Sequence, residues 1–377
     1  MSLKEILKLI LGWRLLLILI ALPAMFLLTP RTRFTNLTEK PSVANIFSMW
    51  SNFDGLHYLD LAEFGYGYQH KTDMDYTFFP VYPWSIKLFS FLGGYLSSGL
   101  IISHLCLILA LYFLYRLTAL DFKAKVSRST IYLLLLFPTA FFFGSVYTES
   151  LFLLLTVLSF YSARKNNFFL ACAFAGVASA TRISGIFLWP ALAYEFWLLY
   201  GGDIKRSLNL RAIWLALPPL GLLSFMRFQF LKTGNPLFFA TMQTNFTGRT
   251  VDKLILLHQV FFRYAKMLVF TDHWDPLFFT VVLELISATL VLAIIIFSLK
   301  KIRFSYWIFM FLSYLLPSFS GTFMSVPRFT LVIFPVFIYL AYWLERQHPF
   351  IKYVYYFSSI FLSVLSIIFF TRGYFIG

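Results

Sequence analysis

Apolar runs long enough to cross a bilayer follow one another along this chain, parted by short basic stretches and by two long polar ones. A spanning helix needs about 20 mostly apolar residues. Candidate spans on that measure fall at 9–29, 97–116, 129–145, 148–163, 167–183, 185–200, 209–231, 277–299, 304–319, 328–344 and 350–370. The piece 78–94, FFPVYPWSIKLFSFLGG, is short, holds Pro80 and Pro83 and carries Lys87. Suppose that it lies on the membrane, with the N-terminus inside. The basic residues of the short loops then share one side: Arg116, Lys123, Lys125 and Arg128; Arg164 and Lys165; Lys205, Arg206 and Arg211; Lys300, Lys301 and Arg303; Arg346 and Lys352. That is the cytoplasmic bias of Lys and Arg in membrane proteins. If 78–94 crossed, every later loop would flip outward. The pattern therefore predicts an all-α polytopic membrane protein, a bundle of about eleven spans, with 78–94 an amphipathic interfacial helix in the first outer loop. The first apolar run is too long for a cleaved leader and reads as a retained span, with Arg14 near its inner end, where it can snorkel.

Composition agrees. Of 377 residues 60% are hydrophobic and 12% charged, so a bilayer must be the solvent for most of the chain. The net charge of +15 is spread between apolar runs and not gathered in one patch, which argues against a nucleic-acid partner. Cys106 and Cys172 both lie in apolar runs and read as buried hydrophobes, not a disulfide. No internal repeat or soluble segment divides the chain, and residues 1–377 read as one membrane domain. The expected outer side holds the long segments 30–96 and 232–276. With them go most of the acids: Asp54, Asp60, Glu63, Asp73, Asp75, Glu149, Asp252, Asp272 and Asp275. Long irregular segments are where function is expected.

The stretch 50–66, WSNFDGLHYLDLAEFGY, gathers Asp54, His57, Asp60 and Glu63 near lipid. Asn52 can cap a helix here and Gly65 can end it. Asp54 and His57, three apart, share a face, and Asp60 is three further on, where it can orient His57. A solvated loop helix is the bland account; an ionisable group held against a membrane is a functional candidate. Downstream, FFPVYP (78–83) fixes the backbone twice with proline among aromatics, for which an interfacial aromatic belt is the bland account. The break within 137–152 holds Tyr147, Thr148 and Glu149 at the outer surface, where the bland account is a capped turn with Thr148 and Glu149 starting the next helix. Arg182 in ATRISG and Arg328 in SVPRF either snorkel to the interface or hold an anion, the latter helped by a helix N-terminus after Pro327. Two arginines and one acidic helix suit glycosyl transfer from a lipid-phosphate sugar. The arginines would neutralise the phosphate leaving group and the carboxylate would take the acceptor's proton. One base suffices for direct displacement with inversion.

The stretch 50–66 resembles the signature W-x-x-x-D-x-x-H-[FY]-L-x-I-A-x-x-G-Y of the PIG-V family, the second mannosyltransferase of GPI-anchor synthesis, and its prokaryotic relatives. Further likenesses follow in order: FFPVYP, FPTAFFFGSVYTESLF (137–152), ATRISG (180–185), GNPLFF (234–239) with Gln243, and SVPRFTLVIFPVF (325–337). The family belongs to the GT-C superfamily of polytopic glycosyltransferases. The resemblance implies Asp54 as catalytic base with His57 beside it. It implies substrate contacts from Tyr58, Asp60, Tyr82, Tyr147, Glu149, Arg182, Gln243 and Arg328. It implies an inverting enzyme that moves mannose or another hexose from a polyprenyl-phosphate sugar to a lipid-linked or cell-surface glycan on the non-cytoplasmic face. A bacterial plasma membrane is expected, or the endoplasmic reticulum if the source is eukaryotic. No cofactor is required; a divalent metal on Asp54, His57 and Asp60 is compatible with the pattern but not demanded by a phosphate leaving group. Leu61 stands where the family has isoleucine; the chain is shorter than the family's eukaryotic members and its second long outer loop is modest, which points to an acceptor other than a GPI precursor.

The alternative is a transporter or flippase for lipid-linked sugars, which would share the arginines and aromatic spans. Transporters usually carry repeats and midplane sites, whereas here the polar clusters share one face and no repeat is seen. The topology is testable by labelling: Thr72→Cys should react with an impermeant thiol reagent added outside, and Lys123→Cys should not. The reverse pattern would remove the catalytic reading of the first loop.

Overall fold

The computed structural model describes residues 1–31, 35–37, 42–67, 73–247 and 253–376. Thr72 and Asp252 lie outside the described residues, as does the side chain of Asp73. Most of the described residues are helical, and none of them is in a strand. In chain order the α-helices begin with α1 (Leu3–Leu27), α2 (Val43–Ser48), α3 (Asp54–Phe64), α4 (Val81–Leu88), α5 (Gly94–Thr118) and α6 (Ala124–Leu136). Next come α7 (Glu149–Arg164), α8 (Phe168–Ser179), α9 (Leu188–Leu199), α10 (Ile204–Ser207), α11 (Leu217–Thr233) and α12 (Phe238–Thr247). The last are α13 (Leu257–Phe270), α14 (Pro276–Ser298), α15 (Phe304–Ser318), α16 (Val326–Val332), α17 (Phe334–Leu344) and α18 (Pro349–Thr371).

This is a multi-pass membrane protein. Among the described residues five helical stretches are long and apolar enough to cross alone: α1, α5, the run Leu210–Thr233 that ends in α11, α14 and α18. The pair α16 and α17 is apolar enough only when taken together, and it bends by 83° at the break between the two helices. All eleven expected segments are helical, but the rest are shorter than an unbroken span. At about 1.5 Å per residue, the 12 residues of α8 rise far less than the roughly 30 Å of a hydrocarbon core. The breaks have local causes. Pro138 follows α6, and residues 139–148 run as a turn, a short 3-10 helix (Ala140–Gly144) and bends. Irregular backbone at membrane depth survives only inside protein, and residues 137–150 are all buried. Side chains satisfy its carbonyls: Ser150 Oγ donates to Phe143 O at 2.7 Å and Arg14 Nη1 to Gly144 O at 3.0 Å. Arg14 therefore does not snorkel. It turns into the bundle and lays its guanidinium 4.2 Å from the centre of the Trp50 ring.

The segment 78–94 forms α4, eight residues long, and a 3-10 turn, Ser90–Leu92. It is too short to cross, and Trp84, Leu88 and Phe91 stay exposed on it. The basic loops meet at one end of the bundle, tied by ion pairs. Arg164 grips Asp121 with two bonds of 2.6 and 2.8 Å, Arg303 Nη2 donates to Glu195 at 2.7 Å, and Lys125 and Lys352 sit 2.7 and 3.2 Å from Glu345. Cys106 and Cys172 are free and buried.

Helices α8 and α11 approach through glycines. A Cβ built on Gly221 would lie 1.9 Å from the Gly176 carbonyl oxygen. Small residues allow such contact between membrane helices. Gly221→Ala should therefore force the pair apart and lower stability by about 1–3 kcal/mol, read as an earlier thermal unfolding transition in detergent, whereas Gly12→Ala, with open space at its Cβ, should leave it unchanged.

Candidate functional site

A cavity of about 1150 Å³ opens opposite the ion-paired end. One part of its wall is charged, with Asp54, His57, Glu149, Arg182 and Arg328; another is apolar, with Leu316, Phe319 and Val332 among others.

Helix α3 presents Asp54 in its first turn. The residue before it, Phe53, has φ 57°, a conformation that costs a bulky side chain energy. Its neighbours hold it there. Asn52 donates through Nδ2 to Phe370 O at 2.9 Å, and Tyr147 donates its hydroxyl to Asn52 O at 2.7 Å. The Phe53 ring packs against Phe370 and Phe375, with centroids 6.1 and 5.8 Å away. Asn52 is thus a brace and not the expected helix cap; Phe53 holds the cap position without a side-chain bond. Gly65 ends the helix as expected, with φ 76° and its N–H on Leu61 O.

Asp54 accepts a hydrogen bond of 2.6 Å from Arg328 Nη1. Arg182 Nη1 donates to Glu149 Oε1 at 2.7 Å and to Thr148 Oγ1 at 3.3 Å. Arg328 Nε lies 3.5 Å from the same Glu149 oxygen, so the four charges form one chain, Asp54–Arg328–Glu149–Arg182. Neither arginine snorkels. Each is turned inward and engaged by a carboxylate, with aromatic faces around: Phe329 is 5.1 Å from Arg182 and 5.4 Å from Arg328. Glu149 is 1% exposed, and its Oε2, like Arg328 Nε, is buried without a hydrogen-bond partner. Of the charged groups the cluster has unused bonding capacity of both signs.

His57 lies on the same helix. Its Nδ1 is 3.1 Å from Asp75 Oδ1, and its ring stacks on Phe78 at 4.9 Å. Asp75 takes the orienting place at Nδ1 that the sequence suggested for Asp60. Burial disfavours the charged imidazolium, but the Asp75 bond and the nearby Asp54 and Asp60 outweigh it and raise the His57 pKa.

Of the other expected substrate contacts, Tyr58, Asp60 and Gln243 line the cavity. Tyr82 and Tyr147 do not. Both are buried, and their hydroxyls serve the fold: Tyr82 donates to Gly99 O at 3.2 Å and bonds Ser103 Oγ at 2.8 Å, while Tyr147 braces Asn52. Their rings form an edge-to-face stack with Tyr58, which keeps that residue at the wall. Glu63 is exposed on α3. Among the described residues no group of three or more His, Cys, Asp and Glu is placed to hold a metal.

The sequence reading missed two acids. Asp75 was placed outside but given no task, since its partner is 18 positions away. Glu284 lies buried in the middle of α14, in a run read only as a span. A carboxylate within such a run was the available signal.

Residues 77–228 match the family model described as dolichyl-phosphate-mannose-protein mannosyltransferase. That family is one of the GT-C glycosyltransferases, the superfamily of the motifs noted above. No curated protein matches the chain. Two solved structures do. One is ArnT from Cupriavidus metallidurans in the apo state, with 16% identity and a TM-score of 0.47, aligned over 92% of this chain and 62% of that one. The other is the Archaeoglobus fulgidus oligosaccharyltransferase tethered with an acceptor peptide containing the NVT sequon, with 13% identity and a TM-score of 0.46, over 97% and 56%. The chain spans less than two thirds of the length of either.

Asp75→Asn should lower the His57 pKa, because burial remains and the strongest stabiliser of the imidazolium is lost. The pairing stabilises the fold fully below the ordinary histidine value of about 6.5 and loses its effect as pH rises through the raised one. A histidine-ring NMR titration of both forms checks this: an unmoved or higher His57 pKa in Asp75→Asn would contradict it.

Proposed function

We propose that this chain is an inverting membrane glycosyltransferase. It moves a hexose, with mannose the first candidate, from a polyprenyl-phosphate donor to a hydroxyl of a lipid-linked or surface glycan. The chemistry runs at the non-cytoplasmic end of the bundle. The observation that carries the reading is the Asp54–Arg328 pair, a carboxylate and a guanidinium in 2.6 Å contact on the wall of a half-apolar cavity.

The apolar wall suits the lipid chain and the charged wall the sugar phosphate. The acceptor oxygen attacks the anomeric carbon, Asp54 Oδ takes its proton, and the carbon–oxygen bond to phosphate breaks, the electron pair leaving with polyprenyl phosphate. Arg328 and Arg182 answer the charge that develops on the phosphate. In the resting site, however, both guanidiniums already face carboxylates. The donor phosphate therefore has a second effect. As it takes N–H groups of Arg328, it competes with Asp54 for them and leaves a carboxylate oxygen free to accept from the acceptor hydroxyl. An arginine carries five N–H donors in a planar fork and can serve both partners in turn. His57, held by Asp75, orients the acceptor beside Asp54.

The direct test is to incubate the purified protein with a panel of polyprenyl-phosphate sugars and follow release of polyprenyl phosphate. Turnover of one of them is expected; transport of intact lipid-linked sugar with no donor consumed would favour a flippase instead. Asp54→Asn should lower transfer by about 10²–10⁴-fold and yet bind polyprenyl phosphate more tightly than the wild type, because a competitor for Arg328 is gone. Arg328→Ala and Arg182→Ala should weaken that binding, with Lys restoring only part of it. A fully active Asp54→Asn enzyme would move the base to Glu149.

A further inference from the structure

We infer that Glu284, on the spanning helix α14, is a positioning residue that sets Arg328 for its ligand. The inference rests on the role proposed for Arg328.

A carboxylate buried in an apolar span is expensive unless it is hydrogen-bonded. Glu284 is 4% exposed. Its Oε2 accepts from the Tyr264 hydroxyl at 2.5 Å and its Oε1 from the Ser325 backbone N–H at 3.1 Å. Both bonds act on one short turn. Tyr264 accepts from the N–H of Phe323 at 3.1 Å and meets Thr322 Oγ1 at 3.2 Å, and Arg263 on the same helix donates to Gly321 O at 2.6 Å. The turn has to be held, because Ser325 sits at φ 63°, in the left-handed region that disfavours side chains other than Gly, Asn and Asp. Its N–H is the group that Glu284 fixes.

Immediately after this residue the chain enters α16, with Pro327 in the first turn. Thr139 Oγ1 donates to the Pro327 carbonyl at 2.9 Å. Arg328 is the next residue, and its guanidinium reaches Asp54. The direction in which Arg328 leaves the backbone is therefore set by the conformation at 325–327, and Glu284 is the side chain that secures the unfavourable residue there. Tyr264 relays the same restraint to Phe323. Glu284 itself is absent from the cavity lining, so it acts through the turn and not on a substrate.

The test compares Glu284→Ala, Glu284→Gln and Tyr264→Phe, each in the wild-type and the Arg328→Ala background, with polyprenyl phosphate as the binding probe in nanodiscs and donor KM and kcat where a donor has been found. Glu284→Ala should weaken binding about tenfold, appearing mainly in donor KM. Glu284→Gln, which still accepts the Ser325 N–H, should recover to within about threefold. Tyr264→Phe should fall between. In the Arg328→Ala background none of the three should weaken binding further, because residues acting as a unit are not additive. Full additivity, or wild-type affinity in Glu284→Ala, would overturn the inference. If Arg328→Ala alone leaves binding unchanged, it is the role of Arg328 that fails, and the two failures are distinct. Should Glu284→Ala not fold, Glu284→Gln and Tyr264→Phe still decide, through the same double-mutant comparison.

Discussion

The chain of charge Asp54–Arg328–Glu149–Arg182 joins parts of the polypeptide that are far apart in sequence. It ties the start of α3 to α16, the start of α7, and the extended residue between α8 and α9. Each member is buried or nearly so, and the medium around them has little power to screen charge. In that setting an ion is tolerable only beside its opposite, and removing one partner of a buried pair commonly destabilises by about 3–5 kcal/mol. Once Arg328 is inside, Asp54 and Glu149 have to be where they are. The same constraint places two carboxylates and two cations within reach of one cavity.

The fold achieves this by giving up regular helix at membrane depth. A bundle of unbroken spans would present only helix sides, with backbone groups closed on themselves. Here α6 stops at Pro138, α8 stops before Arg182, and α16 bends sharply into α17. The exposed carbonyls and amides are then met by Arg14, Thr139, Ser150, Tyr264 and Glu284, whose polar atoms would otherwise have no reason to lie in a membrane.

Much of this was legible in the chain. Apolar runs gave the helices, the Lys and Arg bias gathered the right loops at one end, and the spacing of Asp54 and His57 put both on one helix. What stayed hidden depended on contacts without a period. The pairing of His57 with Asp75 needs the chain to fold back over 18 positions. Tyr82 and Tyr147 sit within promising motifs, yet their hydroxyls brace backbone, and nothing local distinguishes a brace from a ligand contact. Arg14 looked free to snorkel because Trp50 and Gly144 are distant in sequence. Hydropathy also measures how apolar a run is, not where a turn interrupts it, so the breaks within the apolar runs were not legible either.

The two outer helices of the chain also meet. Arg31 N–H bonds Arg372 O at 2.9 Å and Arg372 Nε bonds Leu28 O at 2.8 Å, while Phe370 lies against Phe53, Phe141 and Phe142. The ring that steadies the residue before Asp54 is thus supplied more than 300 positions later. For a polypeptide that enters the membrane as it is being made, segment by segment from its N-terminus, the helix bearing Asp54 arrives early and waits. Its seat is finished only when α18 has been delivered, so a nascent chain caught part-way through translation carries the acidic helix without the means to fix it.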